Sequence, residues 1–219
     1  MVIASLLVLI VGYLMGCILG SNLAKSLTGV NLKETGSKNA GATNAVISLG
    51  WKYGILVVIV DIGKMISTII LVRYFLNIYE FTADEISLLL YITGAAVIIG
   101  HNFPFYMNFN GGKGTASVIG LLIMINWQLG LLAILTFFIF AFLSNYLIIG
   151  VFQLYFILIA VSFTEHSIWP KVISISLLLI ALYLHIENIQ RIRNGTEPKM
   201  SVLYKKESEK SSFRTNLPN

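Results

Sequence analysis

Lys113 stands in the run Gly111-Gly112-Lys113-Gly114, immediately ahead of a long apolar stretch. A glycine-rich turn that opens a helix presents unpaired N–H groups and the positive end of the helix dipole, and the lysine adds a formal charge. That chemistry suits an anion. It is not a nucleotide-binding loop of the Walker type, which needs Ser or Thr after the lysine where this chain has Gly114. A second stretch, from Thr35 to Asn44, combines Ser37, Asn39, Thr43 and Asn44 with Gly41. Hydroxyls and amides donate hydrogen bonds, and glycine lets backbone N–H groups approach a ligand closely, which again suits phosphate. In a third stretch His185, Asn188 and Arg191 recur at i, i+3 and i+6. On a helix they project together as an imidazole able to act as general base, an amide, and a guanidinium able to clamp an anion. Each stretch also has a plainer reading. The first two are turn-rich loops with a snorkelling lysine, and the third is a Glu187–Arg191 surface pair with His185 capping helix carbonyls.

The elements that hold these stretches must be membrane helices. Of 219 residues, 57% are hydrophobic and 11% charged, far too few charges to cover a soluble domain. A bilayer-spanning helix needs about 20 apolar residues, and the apolar runs fall at 2–23, 52–77, 86–100, 113–126, 129–143, 146–163 and 168–187. The expected fold is an all-α polytopic transmembrane helical bundle with seven spans, or six if the apolar stretch from Thr115 to Phe163 divides differently. Residues 1–200 form one domain, and 201–219 read as a polar, disordered cytoplasmic tail. Met1–Gly20 has no basic segment ahead of it and reads as a permanent first span rather than a cleaved signal. Cys17, the only cysteine, lies inside that span.

With seven spans, alternate loops face opposite sides. One side collects Lys25, Lys33, Lys38, Lys52, Lys113, Arg191, Arg193 and Lys199, with Lys205, Lys206, Lys210 and Arg214 of the tail. The other holds Glu80, Asp84, Glu85, Glu165 and Lys171. The basic side is expected to be cytoplasmic, with the amino terminus outside and the carboxyl terminus inside. All three chemistry-bearing stretches then gather on that one face. Asp61 and Lys64, inside the second run, read as an ion pair turned into the bundle. The basic residues form no continuous stripe, so nucleic acid is not an expected partner.

Taken in order, Gly36-Ser37-Lys38-Asn39-Ala40-Gly41-Ala42-Thr43-Asn44, Gly100-His101 through Phe103-Pro104 to Gly111-Gly112-Lys113-Gly114, and His185 with Asn188 and Arg191 running to Gly195-Thr196-Glu197 resemble the three motifs of the bacterial PlsY family. These are the acyl-phosphate-dependent glycerol-3-phosphate acyltransferases. The resemblance covers nearly the whole chain. It implies transfer of a fatty acyl group from acyl phosphate to the 1-hydroxyl of glycerol 3-phosphate, giving lysophosphatidic acid and phosphate at the first step of phospholipid synthesis. It also implies seven spans in the bacterial cytoplasmic membrane among membrane lipid, an active site on the cytoplasmic side, no cofactor or metal, and an upstream acyl-phosphate-forming enzyme. On this reading Ser37, Lys113, His185 and Asn188 are catalytic. Asn39, Gly41, Thr43, Asn44, Gly111, Gly112, Gly114 and Arg191 bind the phosphates. The attacking hydroxyl gives its proton either to His185 or to a phosphate of the bound substrate. Glu197 ties the tail to the helix end.

Two positions depart from the family pattern. Ile47 stands where the family usually carries an arginine expected to help bind glycerol 3-phosphate, with Lys52 the nearby cation. Met65 stands where a glycine follows the lysine of the second run. A small-anion transporter is the alternative from another class, but it predicts polar groups spaced through the spans rather than gathered at one face. Acyltransferases using thioester donors typically pair histidine with an acid five residues on. None of His101, His166 and His185 has one.

Overall fold

The structure is a computed structural model that describes residues 1–201. The polar stretch read as a disordered cytoplasmic tail, apart from Ser201, lies outside the described residues. Among the described residues every regular element is helical: α1 (Val2–Gly16), α2 (Gly20–Thr28), α3 (Ala42–Leu49), α4 (Trp51–Ile78), α5 (Ala83–Asn102), a 3-10 turn (Phe105–Met107), α6 (Thr115–Ile125), α7 (Trp127–Ser144), α8 (Leu147–Ser162), α9 (Trp169–Leu184) and α10 (Ile186–Arg193).

Every expected span coincides with an apolar helix or a broken pair of helices. Four are long and apolar enough to cross a bilayer, counting α1 and α2 together, and a fifth is added if α9 and α10 form one span bent by 53°. Helices α6 and α8 are apolar but shorter, at 11 and 16 residues, below the roughly 20 that a perpendicular crossing needs. The lipid-facing surface follows from the sequence. Leu6, Leu7, Leu14, Leu135, Phe138 and Phe142 are all exposed, an arrangement that water would penalise and hydrocarbon does not.

Glycines let the helices approach. A Cβ on Gly16 would lie 2.2 Å from the carbonyl oxygen of Val97, and one on Gly100 would lie 2.2 Å from that of Tyr13, so α1 and α5 pack backbone to backbone. Around this seam Met65, Ile69, Leu89, Ile98, Leu121, Leu154 and Leu158 form a fully buried core. Thr82 and Glu85 cap α5 reciprocally, each binding the other's main-chain N–H.

The first span departs from the expected continuous helix. It breaks at Cys17–Leu19, where Leu19 adopts extended backbone angles. Main-chain groups freed by a break inside a bilayer must find partners within the protein, and the buried pair on α4 supplies them. The Lys64 ammonium donates to the carbonyls of Gly16 (2.9 Å) and Ile18 (2.8 Å), and Asp61 accepts from the Gly20 N–H at 3.2 Å. Lys64 and Asp61 lie 3.0 Å apart and are 3% and 2% exposed. Deep ionisable residues here mend a helix rather than line a path.

Candidate functional site

The glycine-rich stretch before α6 is seated on the end of α5. The Gly111 N–H donates to the Asn102 carbonyl at 2.9 Å and the Gly112 N–H to the His101 carbonyl at 3.0 Å. Their glycine identity is steric: a Cβ on Gly112 would lie 2.1 Å from His101 Nε2, and one on Gly111 would lie 2.2 Å from the His101 carbonyl. His101 is itself fixed, with Nδ1 2.8 Å from the Lys64 ammonium and 3.4 Å from Asp61. Tyr106, from the same stretch, donates to the Cys17 carbonyl at 2.6 Å and accepts from Asn22 at 2.7 Å. The mended break in the first span therefore underlies the glycine turn.

Two of the expected anion-binding N–H groups, those of Gly111 and Gly112, are thus spent on α5 carbonyls. What the turn offers instead is the start of α6. Gly114 caps it in the left-handed region (φ +80°) with no side-chain cap bond. Beside it lies Asn102, 2% exposed, whose amide oxygen and nitrogen have no hydrogen-bond partner among the described residues. A Cβ on Gly114 would come within 2.9 Å of the Asn102 oxygen. A buried amide left unpaired costs about 1–3 kcal/mol, so Asn102 has hydrogen-bonding capacity to spare beside the start of α6. Its place among small and aromatic residues of the turn gave no periodicity from which this could be read.

Lys113 points from this turn to α10 and donates to the amide oxygen of Asn188. Asn188 Nδ2 donates to Glu197 Oε1 at 2.7 Å, and Arg191 Nε donates to Glu197 Oε2 at 2.7 Å. Glu187 lies 3.7 Å from Arg191. Asn188 and Arg191 share one helical face, as their spacing requires. His185 leaves that face because the chain bends there: its Nδ1–H donates to the Ala181 carbonyl at 2.8 Å, one turn back. A carbonyl can only accept, so the proton sits on Nδ1 and Nε2 keeps its lone pair. The ring is 5% exposed and meets the edge of Phe152, with ring centres 5.8 Å apart.

The Thr35–Asn44 stretch divides into framework and rim. Asn44, 1% exposed, donates to the carbonyls of Leu32 (2.8 Å), Thr35 (3.0 Å) and Asn39 (2.9 Å) and accepts from the Ser37 N–H at 2.8 Å. Its amide is committed to shaping the loop. Gly36, at φ +58°, could not carry a Cβ, which would lie 2.2 Å from the Asn44 oxygen. Asn39 likewise turns inward, accepting from the Gly41 N–H at 3.1 Å. Ser37 and Thr43 remain exposed on the rim, outside the hydrogen-bonded chain that joins Lys113, Asn188, Glu197 and Arg191.

Two contributions escaped the sequence reading. Lys33 donates to Asn110 at 2.7 Å and joins the loop that carries Thr35–Asn44 to the glycine turn. The short turn between α7 and α8 forms a fourth segment: the Asn145 carbonyl accepts from the Met200 N–H at 3.0 Å, and its side chain binds Ser201. That pin holds the segment carrying Glu197 at its far end. Neither Lys113 nor Lys33 has a carboxylate within ion-pair distance among the described residues. Burial is the main cause that lowers the pKa of Lys113, with Arg191 and then Lys33 acting in the same direction against Glu187 and Glu197. Burial also lowers that of Lys33, against Glu187. The result is a set of cations short of negative charge.

The glycerol-3-phosphate acyltransferase family model matches residues 6–195. Glycerol-3-phosphate acyltransferase 1 of Oceanobacillus iheyensis is 41% identical, covering 94% of this chain and 98% of that protein. Glycerol-3-phosphate acyltransferase of Acholeplasma laidlawii is 35% identical over 89% of this chain and 92% of its own. The crystal structure of PlsY, an integral membrane glycerol 3-phosphate acyltransferase, in its glycerol 3-phosphate form gives a TM-score of 0.78 at 28% identity, covering 90% of this chain and 95% of that one. Its lysophosphatidic acid form gives 0.75, at 28% identity over 89% and 94%.

Proposed function

This chain belongs to the glycerol-3-phosphate acyltransferase family, and we propose that it moves a fatty acyl group from acyl phosphate to the 1-hydroxyl of glycerol 3-phosphate. The observation that carries the reading is the chain Lys113–Asn188–Glu197–Arg191, which gathers a lysine and an arginine from two motifs beside an uncapped helix start. Both substrates present phosphate, and the acyl chain is one that a lipid-facing bundle can accommodate.

In the proposed reaction the glycerol hydroxyl oxygen attacks the carbonyl carbon of the acyl phosphate. A new ester bond forms, the carbon–oxygen bond to phosphate breaks, and phosphate leaves with the bonding electron pair. Lys113 and the start of α6, with the Asn102 amide beside Gly114, would neutralise charge on that leaving group, the kind of electrostatic term that dominates acyl transfer. Arg191 and the rim hydroxyls of Ser37 and Thr43 would bind phosphate oxygens. Asn39, Gly41, Asn44, Gly111 and Gly112 would shape the loops that present them. Asn188 would orient the attacking hydroxyl. The proton goes to His185 Nε2, whose lone pair the Ala181 hydrogen bond leaves available, or to a substrate phosphate.

Seven spans are proposed, the four long ones and the bent α9–α10 pair together with α6 and α8, which would cross a region thinned by the polar turns at their ends. An odd count and the basic loops support an outside amino terminus and a site on the cytoplasmic face of a bacterial cell membrane. An upstream enzyme forming acyl phosphate would supply the donor.

The test is turnover by purified protein with labelled glycerol 3-phosphate and either palmitoyl phosphate or palmitoyl-coenzyme A. Lysolipid formed from the phosphate donor, and lost in Lys113→Ala and His185→Ala, is the expected result. Turnover with the thioester alone would overturn the proposed donor.

A further inference from the structure

Nothing in its sequence context distinguishes Lys33 from other loop lysines. In the structure it is half-buried, and its ammonium sits 2.7 Å from the Asn110 side chain, one residue before the Gly111–Gly112–Lys113 turn. It shares an electrostatic environment with Lys113 and Arg191, and the carboxylate acting on it is Glu187, already beside Arg191. Three cations from three separate polar stretches therefore face two carboxylates, and the two lysines have no ion-pair partner among the described residues. A partly desolvated ammonium in this position is stabilised by an incoming dianion.

Another lysine of the basic side has a different outlook. Lys52 lies over the ring of Tyr53 at 5.7 Å, beside an apolar groove lined by Leu27, Ile55, Leu56 and Ile59. Its surroundings are those of a lipid-facing lysine. Ile47, on α3, brings no charge at all.

We propose that Lys33 is a phosphate-binding residue of the acyltransferase site, its ammonium leaving or sharing Asn110 to engage a phosphate oxygen of one of the two substrates. This inference rests on the acyltransferase reading above. The competing role is a staple, in which Lys33 only holds the loop that carries Thr35–Asn44 against the glycine turn through Asn110.

The experiment is steady-state kinetics of the full chain in detergent, with each substrate varied in turn, for Lys33→Met, Lys33→Arg and Asn110→Ala. Removing a charge-assisted hydrogen bond from a phosphate should raise one KM by about tenfold or more in Lys33→Met. The substrate whose KM rises, acyl phosphate or glycerol 3-phosphate, is the one Lys33 holds. Lys33→Arg should recover most of the loss, and Asn110→Ala should change either KM by less than about threefold, because a neutral rim contact contributes little. KM values for both substrates unchanged from wild type in Lys33→Met, or an Asn110→Ala variant that reproduces its defect, would overturn the assignment in favour of the staple. Wild-type protein that makes no lysolipid would instead remove the reading beneath it.

Discussion

Lys113 donates to the amide oxygen of Asn188, joining a turn between α5 and α6 to a helix that begins after the last span, 75 residues further along the chain. The contact makes Asn188 a relay: its oxygen holds the lysine while its nitrogen is held by Glu197. Replacing Lys113 with Ala should therefore lower kcat by about a hundredfold or more, the scale of losing one preorganised charge-stabilising group. Glu197→Ala, which removes the carboxylate joining Asn188 to Arg191 while Glu187 stays beside Arg191, should lower kcat less, by roughly tenfold, and Glu197→Gln should recover part of that. Single-substrate kinetics on the three variants checks the order.

The acidity of Lys113 is expected to shape the pH dependence. Burial lowers its pKa, and its proposed role needs the ammonium. Activity is thus present below that lowered pKa and lost as pH rises through it, sooner than an ordinary lysine would allow. The expected kcat/KM profile falls on its alkaline side below the usual lysine range. Lys113→Arg, where it retains turnover, should move that limb to higher pH because a guanidinium stays charged. An unmoved limb assigns it elsewhere, and Lys33, lowered by burial in the same way, is the next variant to profile.

Asp61 and Lys64 should act on stability first. Removing one partner of a buried pair leaves an uncompensated charge and costs roughly 3–5 kcal/mol. Here it also frees the carbonyls of Gly16 and Ile18 or the N–H of Gly20. Lys64→Met and Asp61→Asn should each lower the thermal unfolding midpoint in detergent by far more than Lys52→Met, a lysine outside this network.

Asn44 and Thr43 are neighbours with opposite expected phenotypes. Asn44→Ala removes the hub of the first loop and should destabilise the protein by about 2–4 kcal/mol, with activity falling alongside. Thr43→Ala should leave the unfolding midpoint within about 1 °C and raise a substrate KM. Midpoint and KM measured on the same preparations separate framework from ligand.

Gly112→Ala places a methyl group 2.1 Å from His101 Nε2. The ring is fixed by Lys64 and cannot yield, so the turn should move and take Lys113 with it. Turnover should fall at least tenfold, while a Gly29→Ala control, at a helix end with open space around it, loses only stability.

Hydrophobicity determined the membrane class and the positions of the helices from sequence alone, because burying apolar surface in lipid needs only composition and length. The ordered polar motifs likewise identified the family, since residues such as Gly111–Lys113 and Asn188 carry their chemistry in their types. Tertiary structure decided what those residues do. Asn44 and Lys113 look equally suited to phosphate as letters, yet one is consumed by carbonyls within its own loop and the other reaches across to α10. The break at Cys17–Leu19, the inward amide of Asn102 and the position of Lys33 were equally out of reach. Each depends on which groups the packed helices and loops bring beside it, and a neighbour distant in sequence has no local signature.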